Sequence, residues 1–227
     1  MIEIVFGLII AFAHYFSSKI HIKHGDHRMK TISFTGGIFI TYLILHLLPQ
    51  VYQENLFMTR VAVMSLLIGF ALFHTLEKYI YQHESGPRLK KDLRRAHSIM
   101  FFAYHIIIGI ILVTLTRFDL VSGVLLFIPI FLFTAISSIS LKEIHEIITE
   151  KRKIRFLLSI STLIGVLIGI YLEINAFMYN ILFGFVVGTL LYIIVVESLP
   201  KEREGNPFFF IFGIIIYTII IALTWVV

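Results

Sequence analysis

Gly37-Ile38-Phe39 running to His46-Leu47-Leu48-Pro49, and Gly188-Thr189-Leu190 running to Glu197-Ser198-Leu199-Pro200, are two copies of one pattern with equal spacing. Each sets a glycine about two and a half turns ahead of an ionisable residue, which falls in the last turn before a helix-ending proline. Each is also apolar over a length that crosses a bilayer. An ionisable group held in lipid is costly and marks a functional site by default, so this pair governs how the rest of the chain is read.

Composition agrees with a membrane setting. The chain is 58% hydrophobic, with a mean hydropathy of +0.93 and 22 Phe, against roughly 45–50% apolar residues in a soluble domain. With no cysteine, disulfides and thiolate metal sites are excluded. Any metal must be held by His, carboxylate, hydroxyl or backbone oxygen. The start, Met1-Ile2-Glu3-Ile4, has neither the basic region nor the small-residue cleavage site of a signal peptide, so the first apolar run is expected to be retained.

Hydropathy places spans near residues 1–18, 31–49, 57–81, 97–117, 119–141, 155–174, 177–199 and 207–226, which predicts a single all-α domain over 1–227 with eight transmembrane helices. Basic residues then set direction. Lys19, Lys23, Arg28 and Lys30 lie in the first connection, Arg88, Lys90, Lys91, Arg94 and Arg95 in the third, Lys142, Lys151, Arg152, Lys153 and Arg155 in the fifth, and Lys201 and Arg203 in the seventh. The alternate connections have only Arg60 and Arg117 at their margins. By the positive-inside rule both termini face outward from a cell membrane. The net charge of +5 is thereby explained without nucleic acid as a partner. It also makes the twin segments antiparallel, as in the inverted repeats of many transporters.

These residues bring the chain to a family. Thr35-Gly36-Gly37-Ile38-Phe39 through His46-Leu47-Leu48-Pro49 resembles the second helix of the ZIP (Zrt/Irt-like) metal transporters, and Gly188-Thr189-Leu190-Leu191-Tyr192 through Glu197-Ser198-Leu199-Pro200 resembles their seventh. Gly69-Phe70 with Glu77, and Gly165 with Gly169, are similar to the third and sixth. The resemblance implies a ZIP-like 3+2+3 bundle with an inverted repeat and transport of a divalent cation, zinc or similar, as cargo. It implies no enzyme and no resident cofactor.

The departure lies in the family's metal site. Its fourth helix carries His-(Asn/Ser)-x-x-(Asp/Glu)-Gly and its fifth His-Lys-x-Pro-Glu. With Gly109 set on the fourth-helix glycine, Tyr104 stands at the His position, His105 at the Asn position and Ile108 at the acid; starting instead from His97-Ser98 gives Phe101 and Phe102. With Pro129 on the fifth-helix proline, Leu126, Phe127 and Ile130 replace the ligands, and Thr162 replaces an acid on the sixth. A dication in mid-membrane needs anionic or strongly basic ligands to replace its hydration. The metal candidates left in this chain are His105, His46, His74, Glu77 and Glu197.

Each has a plainer reading beside it. His105 is a mid-membrane site or a packing histidine. His74 and Glu77, three residues apart, share a helix face as a relay or partial metal site, or are interfacial groups beside a snorkelling Lys78. His46 is a ligand or an interface histidine, and Glu197 a ligand or the partner of Lys201. His21, His24, Asp26 and His27 match no closed zinc spacing and read as a solvated loop; Glu143, His145 and Glu146 read as a charged helix end. Thr134, Ser137, Ser138, Ser140, Ser159 and Ser161 are expected to pack or bond backbone carbonyls, as is Thr162. Gly165 with Gly169, and Gly184 with Gly188, mark close packing or homodimer contacts. The expectation is a ZIP-like carrier in the lipid bilayer. The alternative is a protein of that fold without metal transport, acting as a binding or regulatory subunit.

Overall fold

The computed structural model describes residues 1–17, 26–52, 55–144, 152–198 and 205–225, with backbone alone at 26, 137–144, 152–153 and 197–198; these residues form helices and no strand. In chain order the helices are α1 (Ile2–Ser17), α2 (Asp26–Tyr42, continuing through a π-helical turn, Leu43–Leu47, into Leu48–Val51), α3 (Leu56–His83), α4 (Gly86–Phe118), α5 (Leu120–Ile144), α6 (Arg152–Tyr171), α7 (Ala176–Ile193, continuing into a second π turn, Ile194–Ser198) and α8 (Pro207–Thr224). Among the described residues six are long and apolar enough to cross a membrane, as a multi-pass membrane protein requires, and α1 and the Leu120–Ile136 part of α5 are shorter apolar helices.

Every hydropathic span falls on one of these helices, but two helices overrun theirs. α2 starts at Asp26 and α4 at Gly86, because Lys and Arg are good helix formers in water as well as poor lipid residues. In the basic stretch that begins α4 only Leu93 is buried. Starts are set by short polar residues. Asn55 accepts from the backbone N–H of Phe57 and Met58, Asn175 from Met178, and Asn206, ahead of Pro207, from Phe209.

Asp119 alone separates α4 from α5, accepting from the N–H of Val121 (3.1 Å) and from the N–H and hydroxyl of Ser122 (2.8 Å each). Partial burial pushes its carboxyl up, but these bonds outweigh that and hold it below the usual carboxylate range. A folded value below the unfolded one stabilises above the unfolded range and is lost as pH falls through the folded value. Asp119→Ala should therefore cost about 1 kcal/mol at pH 7 and progressively less as the pH is lowered through that range. Chemical unfolding of parent and variant across pH checks this.

Packing divides the bundle. α4 lies along α6, α6 along α1, and α1 and α4 both touch α5, so these four helices enclose one another. The other four pack mainly as two pairs, α2 with α8 and α3 with α7. Phe39 of α2 against Phe133 of α5 (5.3 Å between ring centres), and the Tyr217 hydroxyl of α8 donating to the Leu125 carbonyl of α5 (2.7 Å), join the groups.

The two outer pairs are built alike. A Cβ at Gly37 would run into the Phe210 carbonyl, and one at Gly213 into that of Phe34; a Cβ at Gly188 would run into the Leu66 carbonyl, and one at Gly69 into that of Phe185. Gly37 and Phe34 of α2 map onto Gly188 and Phe185 of α7 at one constant offset, and Leu66 and Gly69 of α3 map onto Phe210 and Gly213 of α8 at another. The π turns Leu43–Leu47 and Ile194–Ser198 share the α2-to-α7 offset. The backbones come into direct contact because only hydrogen occupies the glycine position. Gly165 and Gly169 face Ile106 and Ile110 of α4, and Gly184 faces Ala62 of α3, so these glycines serve packing within the chain.

Candidate functional site

The buried polar centre lies where α1, α4 and α6 meet. His105, 1% exposed, has Nδ1 2.8 Å from the Thr162 hydroxyl of α6. Phe101, one turn earlier on α4, stacks on its ring at 3.9 Å, and Tyr104 lies 4.5 Å away. Phe101 also meets His14 of α1, at 4.7 Å. His105 Nε2 and His14 Nδ1 are buried with no hydrogen-bond partner among the described residues. Leaving such an atom unpaired costs about 1–3 kcal/mol, so these nitrogens are unused donors or acceptors in an aromatic shell.

Thr162 departs from the hydroxyls around it. Thr134, Ser159 and Ser161 turn back onto carbonyls of their own helices, those of Ile130, Phe156 and Leu158, as expected of membrane-helix hydroxyls. The Thr162 hydroxyl reaches across to His105 instead.

A second cluster forms between α3 and α7. Tyr192, 3% exposed, donates its hydroxyl to Glu77 Oε2, and its ring lies 6.0 Å from that of His74. His74 and Glu77 thus do share a face, although the His74 side chain is exposed and Glu77 half-buried. Phe73 sits between Tyr192 (6.2 Å) and Tyr104 (6.0 Å), so a chain of rings links this cluster to His105.

His46 stands apart, half-buried in the π turn of α2. Its Nε2 is 2.9 Å from the Gln50 amide nitrogen and its ring stacks on Tyr42 at 5.3 Å. With that amide donating, the neutral ring carries its proton on Nδ1. The Tyr42 hydroxyl and Gln50 Oε1 are buried without a partner among the described residues, and Asp119 is close enough to act on the imidazole electrostatically. Glu197 lies in the backbone of the π turn of α7, and its side chain is outside the described residues, as are His21, His24, His145 and Glu146 and the side chains of Asp26, Ser137, Ser138, Ser140 and Glu143.

The predicted ligands with described side chains therefore fall into three places. Among the described residues no group of three or more His, Asp or Glu is arranged to hold a metal ion. His105 has imidazole and hydroxyl neighbours, the carboxylate of Glu77 is engaged by Tyr192, and His46 is engaged by Gln50. Sequence reading missed His14. The buried positions of α1 are Glu3, Phe6, Gly7, Ile10, Ala11, His14 and Ser17, a helical recurrence that puts His14 on the buried face. No protein-family model matches the chain, and no curated protein matches it at a significant level.

Proposed function

We propose that this chain is a membrane carrier of ZIP-like architecture, in which α1–α3 and α6–α8 form an inverted repeat around α4 and α5. Its cargo is a divalent cation such as zinc, or another small solute, and both termini face outward. The observation that carries the reading is the paired construction of α2 with α8 and of α7 with α3, down to the glycines and the π turns. Repeats of this kind give alternating access when one bundle rocks against the other. The enclosed group α1, α4, α5 and α6 supplies one rigid body and the two outer pairs the other. His46, His105 and the Glu77–Tyr192 pair then stand as successive polar stations for the cargo.

A second reading is supported by the aromatic shell at His105 and by the absence of a ligand group of three among the described residues. It is a protein of the same architecture that binds or regulates without moving metal. Uptake of zinc, iron and manganese into proteoliposomes separates the two. The carrier reading expects saturable flux of one of these ions, reduced about tenfold by His105→Ala, the usual scale for losing a ligand or its support. Correctly oriented protein without metal-dependent flux would establish the second reading in its place.

A further inference from the structure

We propose that the two π turns are the outer and inner gates of this carrier, exchanging helical register in opposite phase. The inference rests on the carrier reading, which makes the end of α2 outer and the end of α7 inner.

The cause of the turns is local. Pro49 has no N–H to return to the Leu45 carbonyl and its ring crowds that oxygen; the strain is relieved by widening, and the Leu48 N–H bonds back to the Leu43 carbonyl, five residues earlier. Pro200 holds the matching position in the sequence relative to Val196. Because Pro49 donates no bond in an α or a π ladder, exchange between the registers breaks no backbone bond at that point. Exchange between them removes or restores one residue's worth of winding, which turns the segment beyond by about 100° and shifts it about 1.5 Å.

What precedes each turn is held. Gly37 and Gly188 press their backbones on Phe210 and Leu66, so α2 and α7 cannot rotate there, and the change of winding is confined to the segments that follow. Those segments carry His46 and Glu197, one ionisable residue at the same position of each turn. The outer turn also packs against α7, and the inner turn against α2. Each gate thus touches the helix that carries the other, a contiguous route for coupling. π turns inside α-helices recur at functional sites, and here one stands at the matched place in each of two helices that pack against each other's turn.

The chain has no cysteine, so one introduced thiol reports one place. Gln50→Cys reads the outer segment and Ser198→Cys the inner, each labelled in proteoliposomes by a membrane-impermeant maleimide from its own side. Deleting Ile44 or Val195, matched positions that are each 51% exposed, shortens one π turn to an α turn without removing a core side chain. Deletion of Ile44 should change labelling at Gln50→Cys and move labelling at Ser198→Cys in the opposite direction, each by about tenfold, and deletion of Val195 should do the converse. Where a deletion prevents folding, Pro49→Ala, which restores the missing N–H and favours the α register, is read in the same way. Labelling at the far end that stays within about twofold of the parent in folded protein overturns the proposal. Reciprocal labelling in a protein that moves no metal supports the gates and refutes only metal as cargo; metal flux with unlinked labelling refutes the gates and leaves the carrier standing.

Discussion

Gly188→Val is expected to destabilise the protein by about 3 kcal/mol or to prevent its folding, the upper range of overpacking in a close-packed interior. The reason is the nature of the obstacle. A Cβ at Gly188 would overlap the Leu66 carbonyl oxygen, with the carbonyl carbon and Cα of the same residue behind it. Backbone of a helix cannot swing aside as a side-chain end can, so α3 and α7 must separate along their length. Gly37→Val meets the Phe210 carbonyl of α8 in the same way and should cost a similar amount. Gly7→Ala is the contrast: its new methyl would meet the ends of Leu163 and Val166 at 3.2 Å. Those ends can shift, and the helical gain of up to about 1 kcal/mol from Gly to Ala offsets the crowding. Thermal and chemical unfolding in detergent, with monodispersity checked by size exclusion, compares the three. Gly188→Val as stable as the parent would show that α3 and α7 do not meet at this glycine.

Tyr192→Phe should cost about 2 kcal/mol, within the range for a hydrogen bond to a charged group. The phenol is almost wholly buried and donates to Glu77 from the facing helix. Removing it leaves a half-buried carboxylate without this donor. Glu77→Gln should cost less, because the amide oxygen still accepts the phenol proton. Combining the two should add little to Tyr192→Phe alone, the non-additivity expected of residues in direct contact. A double-mutant cycle by chemical unfolding measures it. Additive single effects would show that the two side chains do not act as a pair.

Much of this molecule was legible before its structure. The eight apolar stretches were readable because apolar length is a local property of sequence; all eight fall on helices, and among the described residues six of those helices are long and apolar enough to cross a membrane. The equality of Gly37–Pro49 and Gly188–Pro200 was readable for the same reason. The start of α4 at Gly86 was not, since its first turns are charged and hydropathy marks only what lies in lipid. Thr162 was expected to pack like its hydroxyl neighbours and instead bonds His105. Nothing within α6 distinguishes it from Ser159 and Ser161; the difference is made by the helix it faces.

The twin segments mark where sequence ends and tertiary structure begins. Sequence by itself determined that two membrane segments share one spacing of glycine, ionisable residue and proline, because spacing along a helix is a property of one strand of covalent chain. Only the tertiary structure decided that those glycines touch the backbones of α8 and α3 and that His14 and His105 share the ring of Phe101. Such contacts join residues far apart in the chain. They follow from how helices close on one another, and a sequence pattern constrains that only through the shape of the faces it presents.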